Sequence, residues 1–135
     1  MTDLRYMLDT NIVSDMIRNP RGKVVRRIAD IGENGLSVSV IVAAELRYGT
    51  AKAGSPRLLE LVEGALSRLI IVPFDVPADV HYGGIRAELE AAGEPIGQND
   101  LFIAAHAFAL GLPLVTDNVR EFSRVRGLKV ENWLS

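Results

Sequence analysis

Leu36-Ser37-Val38-Ser39-Val40-Ile41-Val42-Ala43-Ala44-Glu45-Leu46 is the stretch on which the fold turns. Its first part, Leu36–Ser39, is a short apolar run of the kind that forms a buried strand, and it leads into a helical pattern over Ile41–Ala53. The same unit recurs along the chain. Arg5–Leu8, Leu69–Val72 and Leu114–Thr116 are further buried-strand runs, with a weaker one near Lys129–Glu131. Between them lie helical patterns. Asn11 to Ile31 has Ile12, Val13, Met16, Ile17, Val24, Val25, Ile28 and Ile31 at helical spacing, broken or kinked at Pro20-Arg21-Gly22. Ser55–Ser67 opens with Ser55-Pro56, a cap followed by proline at the first helical position. Pro77 opens a helix that Gly93 ends, and a last long helix runs from Asn99 or Asp100 to Gly111.

Parallel neighbours need crossovers, and their strands read as continuous apolar runs rather than as alternation. Strands alternating with helices therefore predict an α/β protein, a three-layer α/β/α domain around a central parallel sheet of four to five strands. The 135 residues, 48% of them hydrophobic, suffice for one packed core, so residues 1–135 are expected to form a single domain. Gly93-Glu94-Pro95-Ile96-Gly97 reads as a loop, not a linker.

The absence of cysteine excludes disulfides and thiolate-held zinc or iron–sulfur centres. Met1-Thr2-Asp3 has no basic signal-peptide start, and the most apolar stretch, Leu101–Val115, falls short of the ~20 residues a bilayer needs. A cytoplasmic protein without a membrane partner is expected. With a net charge of −2, no global field recruits a polyanion, so nucleic-acid binding would need local patches. Two exist: Arg18, Arg21, Lys23, Arg26 and Arg27, and then Arg120, Arg124, Arg126 and Lys129. Taken alone, such charge runs are usually solvated faces.

Open α/β sheets bind ligands beyond the carboxyl ends of their strands. Asp9 directly follows the first strand, Glu45 lies about a turn into the helix after the second, Asp117 directly follows Leu114-Val115-Thr116, and Asp100 opens the helix before that strand. Each has a plain structural alternative: Asp9 and Asp100 or Asn99 could be helix caps, and Asp117-Asn118 a turn. Glu45 and Asp100 have neighbours that suggest helices packed on most sides, where an unpaired carboxylate is costly. Gathering such anions at ~4 Å costs roughly 4 kcal/mol per pair at an effective dielectric of about 20. A hard cation, Mg2+ with Mn2+ as substitute, removes that penalty and suits an all-oxygen site.

Several motifs, Leu8-Asp9-Thr10-Asn11, Ala44-Glu45-Leu46-Arg47-Tyr48-Gly49, Tyr82-Gly83-Gly84-Ile85-Arg86, Pro95-Ile96-Gly97-Gln98-Asn99-Asp100, Ile103-Ala104-Ala105-His106 and Leu114-Val115-Thr116-Asp117-Asn118, together resemble the VapC toxins of bacterial VapBC systems, which are PIN-domain ribonucleases. The resemblance extends through Arg120-Glu121-Phe122 and Glu131-Asn132-Trp133. It implies a PIN-like domain, a Mg2+-dependent RNA phosphodiesterase of the branch that cuts initiator tRNA in the anticodon loop, and a homodimer. It also implies a VapB antitoxin that occupies the active-site groove and itself binds operator DNA. Carried over by residue, it puts Asp9, Glu45 and Asp100 on the family's metal-site acids and Thr116 on its hydroxyl position. At the fourth acid the chain departs from the pattern: the family spacing falls on Asn118, and Asp117 comes one residue early. Asp117 is the preferred metal ligand, with Asn118 as the neutral-oxygen alternative.

Other readings compete. A receiver domain phosphorylated on Asp75 would want an acidic pair after the first strand, and a haloacid-dehalogenase-like phosphatase would want an aspartate where Asn11 stands. His81 and His106, the only histidines, lack zinc-motif spacing and are expected to pack or to lie on the surface. Trp133 is expected to cover the sheet edge.

Overall fold

The computed structural model describes residues 3–135. Five parallel strands form the sheet in the order β3-β2-β1-β4-β5: β1 Tyr6–Leu8, β2 Leu36–Ser39, β3 Ile70–Val72, β4 Leu114–Val115 and β5 Val130–Glu131. Helices flank it as the alternation predicts: α1 Thr10–Arg18, α2 Lys23–Ile31, α3 Val40–Ala53, α4 Pro56–Ser67, α5 Ala78–Ala91, α6 Gln98–Leu110 and the short α7 Val119–Phe122. The register pairs Met7 with Ser37 on one side and with Leu114 on the other. Met7, Leu8, Val38, Leu114 and Val115 are fully buried, along with Ile12, Val13, Ile103 and Phe122 from the helices.

Local chemistry sets the boundaries. Ser39 ends β2 and caps α3 with its hydroxyl, which accepts from the Ile41 N–H, so strand passes into helix with no intervening loop. Ser55 caps α4 through the Leu58 N–H, as the Ser-Pro signal predicts. The long pattern from Asn11 to Ile31 is two helices, because the chain leaves helical geometry at Asn19–Gly22, where proline cannot donate. The last long helix begins at Gln98 with Gly97 at its N-cap, so neither Asn99 nor Asp100 is the cap. Gly111 ends it at φ 67°, a conformation glycine adopts without Cβ strain. Trp133 is buried on Tyr6, ring centroids 5.0 Å apart, and donates its Nε1–H to Glu131.

From β1 the chain steps outward to β2 and β3, then returns to add β4 and β5 on the other side. The strand order therefore reverses between β1 and β4, the place beyond the strand ends where open α/β sheets bind ligands.

Candidate active site

Asp9 leaves β1 and Thr116 leaves β4 at that switch point. Asp9 is the N-cap of α1, and its Oδ1 accepts from the Thr10 N–H at 2.8 Å. Its Oδ2 accepts from the Thr116 hydroxyl, also at 2.8 Å. The capping alternative thus holds, but it uses only one of the two oxygens. Asp9 is 5% exposed, and burial pushes its pKa above the ordinary value against the Thr116 and Thr10 bonds; the charges of Glu45 and Asp117 push it further up.

Glu45, in the second turn of α3, accepts from the Thr10 hydroxyl at 2.8 Å and from the Asn99 amide at 3.3 Å. It is only half-buried, and Ala44 beside it is exposed. The expectation of a helix packed on most sides at Glu45 is corrected accordingly, because this flank of α3 is part-exposed and turns to the side chains of Thr10 and Asn99. Asp100 lies in the first turn of α6, where its carboxyl is pushed up to about 7. Burial is the main cause, followed by a hydrogen bond to Glu121 and the charges of Asp9, Glu121 and Glu45.

Asp117 is exposed and accepts from the Asn11 amide at 3.0 Å. Asn118 is occupied otherwise: it is the N-cap of α7, its N–H donates to Thr116 Oγ1, and its amide donates to Glu121 at 2.9 Å.

Glu121, which the sequence resemblance includes without giving it a role, joins these acids from α7. It also accepts from the Gly97 N–H at 2.8 Å, which ties α7 to the start of α6. Burial works to raise its pKa, but the bonds from Gly97, Asn118 and Asp100 and the Arg124 charge hold it below the ordinary value. The signal that could have found it is Asn118-x-x-Glu121, a capping-box spacing.

No lysine or arginine makes an ion pair with Asp9, Glu45, Asp100 or Asp117 among the described residues. Neutral hydroxyls and amides hold Asp9, Glu45 and Asp117, so the negative charge stays uncompensated. Such a set of hard oxygen donors fits a divalent cation of the Mg2+ or Mn2+ kind. As they stand, no three acid or histidine side chains among the described residues are arranged to hold one ion. Coordination would require them to draw together.

The other candidates lie elsewhere. Asp75 follows β3, at the edge of the sheet, and accepts from the Val76 N–H, far in strand order from Asp9. Asn11, where a phosphatase would want an acid, is a donor to Asp117. His106 is buried on Ser39 Oγ and the edge of Phe74, with burial lowering its pKa, and His81 packs on Phe108. Of the basic residues, Arg27 lies over Trp133 and 4.0 Å from Glu131, while Lys23 and Arg26 rim the groove beside it. Arg124 and Arg126 are engaged with Glu94 and Glu88.

The chain and its fold have known relatives. The PIN-domain family model matches residues 6–128. Ribonuclease VapC2 of Haemophilus influenzae is 44% identical over 132 residues, 97% of this chain and 99% of that protein. The tRNA(fMet)-specific endonuclease VapC of Shigella flexneri is 42% identical, over 96% and 98% of the two chains. A crystal structure of DNA-bound VapBC from Salmonella typhimurium superposes with a TM-score of 0.90 at 41% identity, covering 96% of this chain and 98% of the other. The chain belongs to the PIN-domain family and, within it, to the VapC ribonucleases of VapBC toxin–antitoxin pairs.

Proposed function

We propose that this chain is a Mg2+-dependent endoribonuclease, with Mn2+ able to substitute, that cuts transfer RNA, initiator tRNA at the anticodon loop being the target. Residues 1–135 act as one catalytic domain, paired as a homodimer in the cytoplasm. A VapB-type antitoxin holds it inactive and supplies the contact with operator DNA. The name of the Shigella relative supports the tRNA reading, and the VapBC complexes of Salmonella typhimurium and Rickettsia felis support the antitoxin.

The observation that carries the proposal is that the charges of Asp9, Glu45 and Asp100 act on one another, while none of the three makes an ion pair with a lysine or arginine among the described residues. When bound, a divalent cation supplies an activated water and neutralises charge on the phosphate. Asp9, Glu45, Asp100 and Asp117 are the residues that would hold it. Thr116 orients the Asp9 carboxylate, Thr10 and Asn99 orient Glu45, and Asn11 orients Asp117. Glu121 helps to hold the Asp100 carboxyl above its ordinary value, so Asp100 would have to be in its carboxylate form to hold a cation. Asn118 braces Glu121.

Sequencing RNA ends after a brief induction, beside cleavage of purified tRNAs with Mg2+ and with EDTA, tests the reading. One dominant cut in initiator tRNA that EDTA suppresses is the expected result. Cleavage spread over unrelated RNAs would remove the tRNA assignment, and cleavage in excess EDTA would remove the metal.

A further inference from the structure

We propose that a pocket beside the acid cluster is a base-reading subsite that takes an unpaired purine of the RNA, guanine in preference, close to the bond that is cut. The inference rests on the ribonuclease reading and adds a sequence requirement to it.

The cavity, about 100 Å3, lies between α5 and the start of α6. Leu89 and Leu101, each 5% exposed, and Ile96 give it apolar walls suited to the flat face of a base. Arg86, Glu90 and Gln98 supply the polar lining. Gln98 and Leu101 share one face of α6 at i,i+3 spacing, whereas Asn99 and Asp100 in the same turn belong to the acid site. An α-helix with its side chains is about 10–12 Å across, so the pocket and the acids on the other face of α6 lie within reach of one RNA strand.

The polar groups are already placed. Arg86 Nε donates to Glu90 Oε2 at 2.9 Å, and its Nη1 donates to the Tyr82 hydroxyl at 3.0 Å. Tyr82 is held in turn by stacking on Phe102, centroids 4.5 Å apart and planes 16° from parallel. Arg86 Nη2 and Glu90 Oε1 have no hydrogen-bond partner among the described residues. Guanine alone presents an acceptor, O6, beside two donors on neighbouring atoms, N1–H and N2–H. Arg86 Nη2 on O6 and the Glu90 carboxylate, which has lone pairs for both donors, complement that row, whereas adenine, cytosine and uracil lack the second donor. Single-stranded RNA is read in this way, with bases splayed out, stacked and bonded along their edges. The wall at Pro95–Ile96 is tied to the acid cluster, because Arg124 donates to the Pro95 carbonyl and Gly97 to Glu121. An exposed i,i+4 ion pair such as Arg86–Glu90 adds little to stability, so its replacement reports on recognition and not on folding.

The test is fluorescence anisotropy in EDTA with labelled uridine hexamers carrying one central guanosine, adenosine, cytidine or uridine. The protein is wild type, Arg86→Gln, Glu90→Gln or Gln98→Ala, each checked by circular dichroism. Wild type should bind the guanosine oligomer about tenfold more tightly than the all-uridine one, and Arg86→Gln and Glu90→Gln should each remove most of that preference. Equal binding of all four oligomers by wild type, tighter binding of adenosine than guanosine, or a preference undiminished in both variants would overturn the proposal. Adding Mg2+ to the same samples reads cleavage separately. An intact guanosine preference without cleavage counts against the metal-dependent nuclease and supports the pocket.

Discussion

The Thr116 hydroxyl donates to Asp9 Oδ2 at 2.8 Å, joining the end of β4 to the end of β1 through side chains that are both buried. The same hydroxyl oxygen accepts the Asn118 N–H, so one atom sets the acid and the start of α7. Thr116→Val keeps the shape but orphans a carboxylate oxygen and an N–H, each costing about 1–3 kcal/mol when buried. The hydroxyl bond lowers the Asp9 pKa, so its loss raises that pKa further and leaves less carboxylate for a cation. Thr116→Val should lower both the melting temperature and cleavage at neutral pH, and Thr116→Ser should restore both. If Thr116→Val cleaves as wild type does, the hydroxyl has no such role.

Asp100 gives the metal-free protein a particular pH dependence. A carboxyl raised from 3.8 to about 7 binds a proton more tightly in the folded state. Its contribution to stability is therefore full at about pH 4 and is lost as pH rises through 7. Lowering of the His106 pKa works the other way, with stability lost as pH falls through and below the ordinary histidine value. The difference in melting temperature between wild type and Asp100→Asn in EDTA removes the His106 part. Between about pH 4 and pH 8 wild type should lose ground relative to Asp100→Asn, and saturating Mg2+ should reverse the trend. A pH-independent difference would show that Asp100 is not perturbed.

The fourth acid divides into two questions. Asp117 is held by Asn11 and adds its charge at Asp9, whereas Asn118 spends its amide on Glu121. Asp117→Asn should raise the Mg2+ concentration for half-maximal cleavage, with Asn118→Ala shifting it less. Glu121→Gln should cut cleavage at least tenfold, about 1.4 kcal/mol in the barrier, because it removes the partner of Asp100. Loss of activity in Asn118→Ala with an unmoved metal titration in Asp117→Asn would return the fourth position to Asn118.

The strands and most helix ends were legible because buried parallel strands and Ser, Pro and Gly punctuation leave local marks. Asp9 was legible as an acid directly after β1, and Glu45 and Asp100 as acids on the helices that follow β2 and precede β4. Glu121 was not assigned: α7 is one turn long, too short for a periodic signal, and the partners of Glu121 at Gly97 and Asp100 are distant in sequence. Of the break or kink expected at Pro20-Arg21-Gly22, the chain takes the break, since Asn19–Gly22 stands outside both helices. Burial of Glu45 was overestimated because apolar neighbours along a helix do not say which flank faces a crevice.

Basic residues divide by what holds them. Arg124 and Arg126 are engaged with the chain's own acids, whereas Arg21, Lys23 and Arg26 are exposed and make no ion pair among the described residues. Replacing these three by glutamine should weaken RNA binding and flatten its salt dependence, each lost phosphate contact lowering the slope by about 0.7 for a single strand. An unchanged slope would make that patch a solvated face.

A Mg2+ titration of RNA cleavage by wild type, Asp9→Asn, Glu45→Gln and Asp100→Asn, with circular dichroism on each, tests whether these acids hold the metal. Every one of the three substitutions should abolish cleavage at all Mg2+ concentrations while the fold is retained, since each neutralises a carboxylate that has no cationic partner of its own. Wild type should fall silent in excess EDTA. Full activity in any of the three variants, or undiminished wild-type cleavage in EDTA, would contradict the assignment of these acids as a metal-holding active site.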